Sequence, residues 1–138
     1  MKEVTLKLHP ASIGKRNLKY RGVPYNMSNQ RVHWSVKKAW NDAWLTEIGY
    51  CYLEHKAEFG KIPLKDPGIT ILFYTCNPMD RDNAYHSAKP LIDALTARHN
   101  GLGIIKDDND EELKSLVVKC IKVHHRTEVH TEIILKFS

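Results

Sequence analysis

The sequence predicts an α+β domain in which a mixed sheet, ending in a C-terminal hairpin, packs against helices in the order β, α, β, α, β, β. Three observations predict it. The chain has 138 residues, which suits one domain spanning 1–138 with a single core. Two segments space their apolar residues as helices do, while four short segments are dense in β-branched residues or alternate apolar with polar ones. The last two of those runs are separated only by the polar HHRTE, which reads as the turn of a hairpin.

Val4 to Leu8 alternates apolar and charged residues, the pattern of a half-buried strand. HPASIGKRNLKYRGVPYNMSNQR follows as a long irregular stretch carrying Lys15, Arg16, Lys19, Arg21 and Arg31, a length that marks a functional or solvated basic loop. From Trp34 to about Glu58, the residues Val36, Trp40, Ala43, Trp44, Ile48 and Cys51 fall on one side of a helix. The tryptophans of this segment share its apolar stripe and read as core or interface bulk. Gly60, Pro63, Pro67 and Gly68 end the helix and mark a linker. Ile69 to Cys76 reads as a buried strand. Ala84, Ala88, Leu91, Ile92 and Leu95 suit a second helix, and Pro90, tolerated only in a first turn, sets its start near Ser87 as N-cap. Residues 80–86 are then extended or irregular. Leu116 to Val123 reads as a strand paired through HHRTE with His130 to Phe137. No repeat or low-complexity segment interrupts the order.

Hydrophobic residues make up 42% and charged residues 27% of the chain, which excludes disordered and collagen-like classes. No run approaches the roughly 18 apolar residues of a membrane span, and MKEVTLKLHP has no signal-like apolar core, so a cytoplasmic location is expected. Cys51, Cys76 and Cys120 are odd in number and lie in apolar or amphipathic segments, as buried thiols do. The net charge of +5 suits a polyanionic partner, nucleic acid above all.

Against that positive balance, acidic residues gather in two clusters, MDRDN (Met79–Asn83) and KDDNDEE (Lys106–Glu112). On a helix, Asp80 and Asp82 would turn about 200° away from each other. On an extended segment they share a face, about 6.6 Å apart. Two carboxylates on one face repel unless a cation neutralises them. A hard dication such as Mg²⁺ takes one or two carboxylates and completes its shell with water and phosphate. A third ligand would be Asp107 or Asp108, which point to opposite sides if extended. Such an ion reverses the local sign and admits a phosphodiester. The plainer alternative makes Asp82 and Asn83 turn residues and DDNDEE a solvated loop. Neither cluster has the glycine and distant glutamate of a calcium-binding EF-hand loop. His124, His125 and His130 flank a turn, and no CxxC pair accompanies them, so zinc is not expected. No nucleotide-binding or nucleophile-elbow motif occurs.

The run Asp80, Asp82, Asn83, then Lys89 four residues before Asp93-Ala94-Leu95, then Gly103, Ile105, Asp107 and Asp108 before a valine-rich strand, resembles the RusA family of Holliday junction resolvases, common in phages and prophages. PYNMSNQRVHW resembles the family's loop before its first long helix, so the similarity spans most of the chain. The resemblance implies a homodimeric, Mg²⁺-dependent endonuclease that binds four-way DNA junctions and cuts opposed strands symmetrically, in recombination and repair. It implies Asp80, Asp82 and Asp108 as metal ligands and Lys89 as the essential lysine. Around residues 84–86 the chain carries three residues more than the family spacing, which makes His86 a rival for the lysine's role. Phosphate contacts would come from among Arg16, Arg31, Lys37, Lys38, Arg81, Arg98 and Lys106. The competing expectations are a branched-DNA-binding module without catalysis and a metal-dependent nuclease for another nucleic-acid structure.

Overall fold

A computed structural model describes residues 1–8, 34–97, 101–106 and 115–138, and for residues 34–37 and 40 the backbone alone. The basic loop expected after the first strand lies outside the described residues. The elements are β1 (Lys2–Leu8), α1 (Trp34–Phe59), β2 (Gly68–Thr75), α2 (Arg81–Ser87), α3 (Lys89–Leu95), β3 (Leu116–Lys122), a 3₁₀ turn (Arg126–Glu128) and β4 (His130–Phe137). This is a small α+β domain built on one mixed four-stranded sheet of order β1-β4-β2-β3. No helix among the described residues is long and apolar enough to cross a membrane.

The strands alternate as a sheet covered on one face requires. Val4, Leu6 and Leu8 of β1, Ile69, Ile71 and Phe73 of β2, Val118 of β3 and Ile133, Leu135 and Phe137 of β4 are all buried. Against them pack Trp44, Ile48, Cys51 and Phe59 of α1 and Leu91, Ile92, Ala94 and Leu95 of α3, in one continuous core. Each fully buried Val, Leu, Ile or Phe among them contributes about 1.5–3 kcal/mol. Of the predicted α1 stripe, Trp44, Ile48 and Cys51 are buried and Ala43 is half-buried, while the side chains of Val36 and Trp40 lie outside the described residues. Gly60 ends the helix in the left-handed region, φ 66°, with its N–H on the Lys56 carbonyl at 3.2 Å.

The two C-terminal strands are correctly bounded but do not form the expected hairpin. β3 pairs with β2 in parallel, from Ile69↔Leu116 to Thr75↔Lys122, whereas β4 lies antiparallel between β1 and β2. The connection through the 3₁₀ turn therefore crosses the end of β2, where the Val123 N–H bonds the Thr75 carbonyl at 3.0 Å. Composition explains the choice. β4 alternates buried Thr131, Ile133, Leu135 and Phe137 and can occupy the middle, while β3 carries exposed Lys119 and Lys122 that suit an edge.

The second helix also differs from expectation. Residues 81–87 are helical, not extended, and Ser87 is no N-cap: it is fully buried, with its hydroxyl 3.4 Å from the Met79 sulfur. Ala88 stays right-handed (φ −76°, ψ −15°), with its N–H on the Ala84 carbonyl at 3.1 Å and its carbonyl taking the Ile92 N–H at 3.1 Å. α2 and α3 thus form one interrupted rod, Pro90 tolerated because it opens the second segment.

The segment 101–105 folds back on the C-terminal end of α3. Leu102 N–H reaches the Ala94 carbonyl at 2.8 Å, Gly103 N–H the Thr96 carbonyl at 3.2 Å and Ile105 N–H the Leu95 carbonyl at 3.1 Å. Thr96 and Ile105 form a parallel bridge. A side chain at Gly101 would collide with the carbonyl oxygens of Asp93, Ala94 and Thr96. Gly101→Ala is therefore expected to cost about 3 kcal/mol, at the upper end of overpacking, read as a lower urea midpoint.

Cys51 bonds the Lys7 carbonyl through its thiol at 3.4 Å. Burial, then the charges of Glu47 and Glu54, push its pKa up to about 11 from an ordinary 9.0. Below pH 9 both folded and unfolded thiols are protonated and nothing is lost. Between about 9 and 11 the unfolded thiol ionises while the folded one holds its proton, so stability falls as pH rises. Thermal unfolding followed from pH 8 to 10.5 is expected to show a smaller alkaline loss in Cys51→Ala than in the wild type.

Candidate metal centre

After β2 the chain leaves the sheet through Cys76 to Met79 and turns into α2, and this exit fixes the first acidic cluster. Asp80 is the N-cap: it remains extended (φ −67°, ψ 169°), and Oδ1 accepts the Asn83 backbone N–H at 2.9 Å. Oδ2 accepts the Asn83 side-chain amide at 3.1 Å. Asp82 occupies the first helical turn and is exposed. The two acids therefore do not share the face of an extended segment, as the sequence suggested. Both instead sit where a helix N-terminus favours negative charge, with or without a ligand. Two of the roughly four lone-pair positions of Asp80 are used by Asn83, so the carboxylate retains capacity for a further donor or a cation.

Because Ala88 keeps the rod helical, Asp82, His86, Lys89 and Asp93 fall at i, i+4, i+7 and i+11 and form one row along it. Asp82, His86 and Lys89 are exposed and Asp93 is half-buried, while Ala84, Ser87, Ala88, Leu91, Ile92 and Leu95 turn to the core. Lys89 Nζ lies 3.1 Å from Asp93 Oδ1, one turn further along. The two rivals for the lysine's role thus stand on the same side of the rod, His86 one turn and Lys89 two turns beyond Asp82. Asp93 enters the sequence pattern only within the Asp93-Ala94-Leu95 run. The i, i+4, i+7, i+11 spacing is present in the sequence, but a helix starting near Ser87 leaves Asp82 and His86 off it, and only a rod that is helical from Arg81 makes the row.

The second acidic cluster, with Asp107 and Asp108, lies outside the described residues, and among those described no three His, Cys, Asp or Glu side chains gather as a metal site. The flanks of the cluster are described. Lys106 follows the segment pinned to the end of α3, and the Leu116 carbonyl lies 3.5 Å from Tyr85 Oη, three residues beyond Asp82 on α2. Oxygen donors at Asp80 and Asp82 suit Mg²⁺ chemically, and phosphate or water oxygens would complete its shell.

Of the expected phosphate-binding residues, Arg16, Arg31 and Arg98 lie outside the described residues, as does the Lys37 side chain. Lys38 is exposed on α1 and pairs with Asp42 at 3.0 Å. Arg81 opens α2 with its guanidinium 5.8 Å from the centre of the Tyr85 ring, and Lys106 is exposed beyond α3. The described contacts do not join these three cations.

Comparison of the chain with family models, with curated proteins and with solved structures finds no match.

The cap gives a direct test of what Asp80 does for the fold. Asp80→Ala is expected to lower unfolding free energy by about 1 kcal/mol, and Asp80→Asn by less than half of that, because asparagine caps as well as aspartate. Urea unfolding of both variants measures the difference.

Proposed function

We propose that this chain is a Mg²⁺-dependent endodeoxyribonuclease that resolves four-way DNA junctions by paired symmetric nicks, acting as a homodimer. The observation that carries the reading is the exposed row on α2 and α3, which starts at Asp82, two residues beyond the capping carboxylate of Asp80, and continues with His86 and Lys89. Its resemblance to the RusA pattern supplies the substrate class, and the net charge of +5 is of the sign that DNA requires.

The chemistry follows from that order. Hydrolysis adds water to the phosphorus and breaks one bond to a sugar oxygen, and negative charge grows on the phosphoryl oxygens and the leaving group. Bound at Asp80, Asp82 and Asp108, Mg²⁺ would polarise the phosphate and make a coordinated water more acidic. Asp80 and Asp82 hold their carboxylates at the start of α2, Asp80 oriented by Asn83. Lys89, which pairs with Asp93 in the structure, would supply a cation two turns beyond Asp82 to offset the developing charge, and His86 a ring nitrogen one turn nearer. A twofold pair of such sites gives two symmetric cuts. Preference for a junction then rests on its shape rather than on base edges.

Asp82→Asn is expected to keep junction affinity while lowering strand cleavage in Mg²⁺ on the order of 10²-fold or more, the scale on which loss of one key electrostatic group acts. A labelled four-way junction followed on denaturing and native gels reads both quantities, and wild-type cutting by the variant would remove the site. A second reading has its own support, since both Asp80 oxygens already serve the helix cap. It makes the chain a branched-DNA-binding module, which would shift the junction band and leave every strand whole. Running junction, flap, duplex and RNA substrates side by side separates a resolvase from a nuclease of another specificity.

A further inference from the structure

On the face of the sheet turned away from the helices, Lys7, Tyr74, Ile121, Val123, Arg126 and His130 line a cavity of about 570 Å³. That volume lies within the roughly 300–1,000 Å³ of small-molecule sites. The cavity stands at the carboxyl ends of β2 and β3, beside the 3₁₀ turn, and uses none of the residues of the acidic row.

Its floor is built by the register. Tyr74 stands opposite His130 of β4 on one side and opposite Ile121 of β3 on the other. The Tyr74 and His130 rings stack with centroids 4.3 Å apart and planes within 5°. His130 is held from both ends of its ring, Nδ1 lying 2.7 Å from the Glu128 carbonyl oxygen and Nε2 2.7 Å from the Glu132 carboxylate. Glu132 also accepts from the Tyr74 hydroxyl, and burial followed by this carboxylate's charge raises the Tyr74 pKa, so the phenol keeps its proton. Stacking on His130 covers one face of the Tyr74 ring, and Ile121, its partner on β3 and a shorter side chain, borders the other. The rim carries two cations, Lys7 and Arg126, and the carboxylates near them are Glu128 in the wall and Glu132, which holds the two floor rings and stands opposite Lys7 in the register. An immobilised aromatic face with apolar neighbours and a cationic rim is the arrangement that takes a planar ring bearing an anionic group.

We propose that this cavity binds one unstacked nucleotide of a single-stranded nucleic acid, with its base lying over Ile121 beside the Tyr74 ring and its phosphate at Lys7 and Arg126. The site is separate from the carboxylates and stands even if the chain cuts nothing.

The test uses the whole chain in EDTA, so that cleavage plays no part, and the fluorescence anisotropy of a labelled eight-nucleotide oligothymidylate. Ile121→Trp fills the cavity from an exposed position, and Arg126→Ala removes the phosphate contact. Each is expected to weaken binding about tenfold, the order produced by losing one stacked base. An abasic strand of the same length should bind about tenfold more weakly to the wild type. Lys65→Ala, which removes a cation outside the cavity, should stay within twofold of wild type. Nuclear magnetic resonance of the Tyr74 and Ile121 signals distinguishes the source of the nucleotide: shifts with millimolar thymidine monophosphate mark a self-sufficient nucleotide site, and shifts with the strand alone mark a strand site. The proposal is overturned if neither ligand moves those signals, if the abasic strand binds equally well, if both cavity variants bind as wild type, or if Lys65→Ala weakens binding as much as Arg126→Ala.

Discussion

β4 is hydrogen-bonded on both edges, antiparallel to β1 and to β2, and the rest of the molecule is arranged around that central position. A strand in the middle of a sheet has both rows of backbone groups satisfied and buries one whole face of side chains. Thr131, Ile133, Leu135 and Phe137 fill that face, and β1 and β2 close around them with Leu6, Leu8, Ile69, Ile71 and Phe73. With β4 there, β2 keeps one open edge, and β3 takes it rather than the outer edge of β1. It does so in parallel, and a parallel pair needs a crossover. The crossover is the rod of α2 and α3.

The position of the acidic row follows from the same constraint. The chain leaves β2 at its carboxyl end, caps α2 with Asp80 and returns to the start of β3, burying Ala84, Ala88, Leu91 and Leu95 against the sheet. The opposite side of the rod is left to water, and it carries Asp82, His86 and Lys89. The segment 101–105 then ties the far end of the rod to the core, through Leu95 and through the Leu64 N–H on the Ile104 carbonyl at 2.8 Å. The position of β4 also sets Tyr74 beside His130, two residues 56 apart in the chain that form the floor of the cavity on the other face.

Much of this was legible locally. The bounds of α1, β2, β3 and β4 follow from periodicity and β-branched density because each reflects burial of one face of its own segment. The carboxylates were also legible as a cluster, because a basic chain that concentrates acids within a few residues invites a reason. Their geometry was not. Asp80 and Asp82 share a face only if the segment is extended, and Pro90 read alone excludes a helix that runs unbroken from before Ser87. Proline needs no partner for a missing N–H in a first turn, so an interruption at Ala88 allows helix on both sides of it.

The sequence by itself determined which residues are buried and where most elements begin and end, since side-chain periodicity is a local property. It also determined the electrostatic character, a net positive chain with two acidic clusters. The tertiary structure alone decided which strands pair. HHRTE permits a hairpin, but the apolar content of β4 is better buried between two neighbours, and that choice depends on strands more than 50 residues away. It likewise decided that Asp80 is a cap, that His86 and Lys89 share one side of a rod, and that a tyrosine and a histidine meet face to face. These are long-range contacts, and no short window of sequence contains both partners.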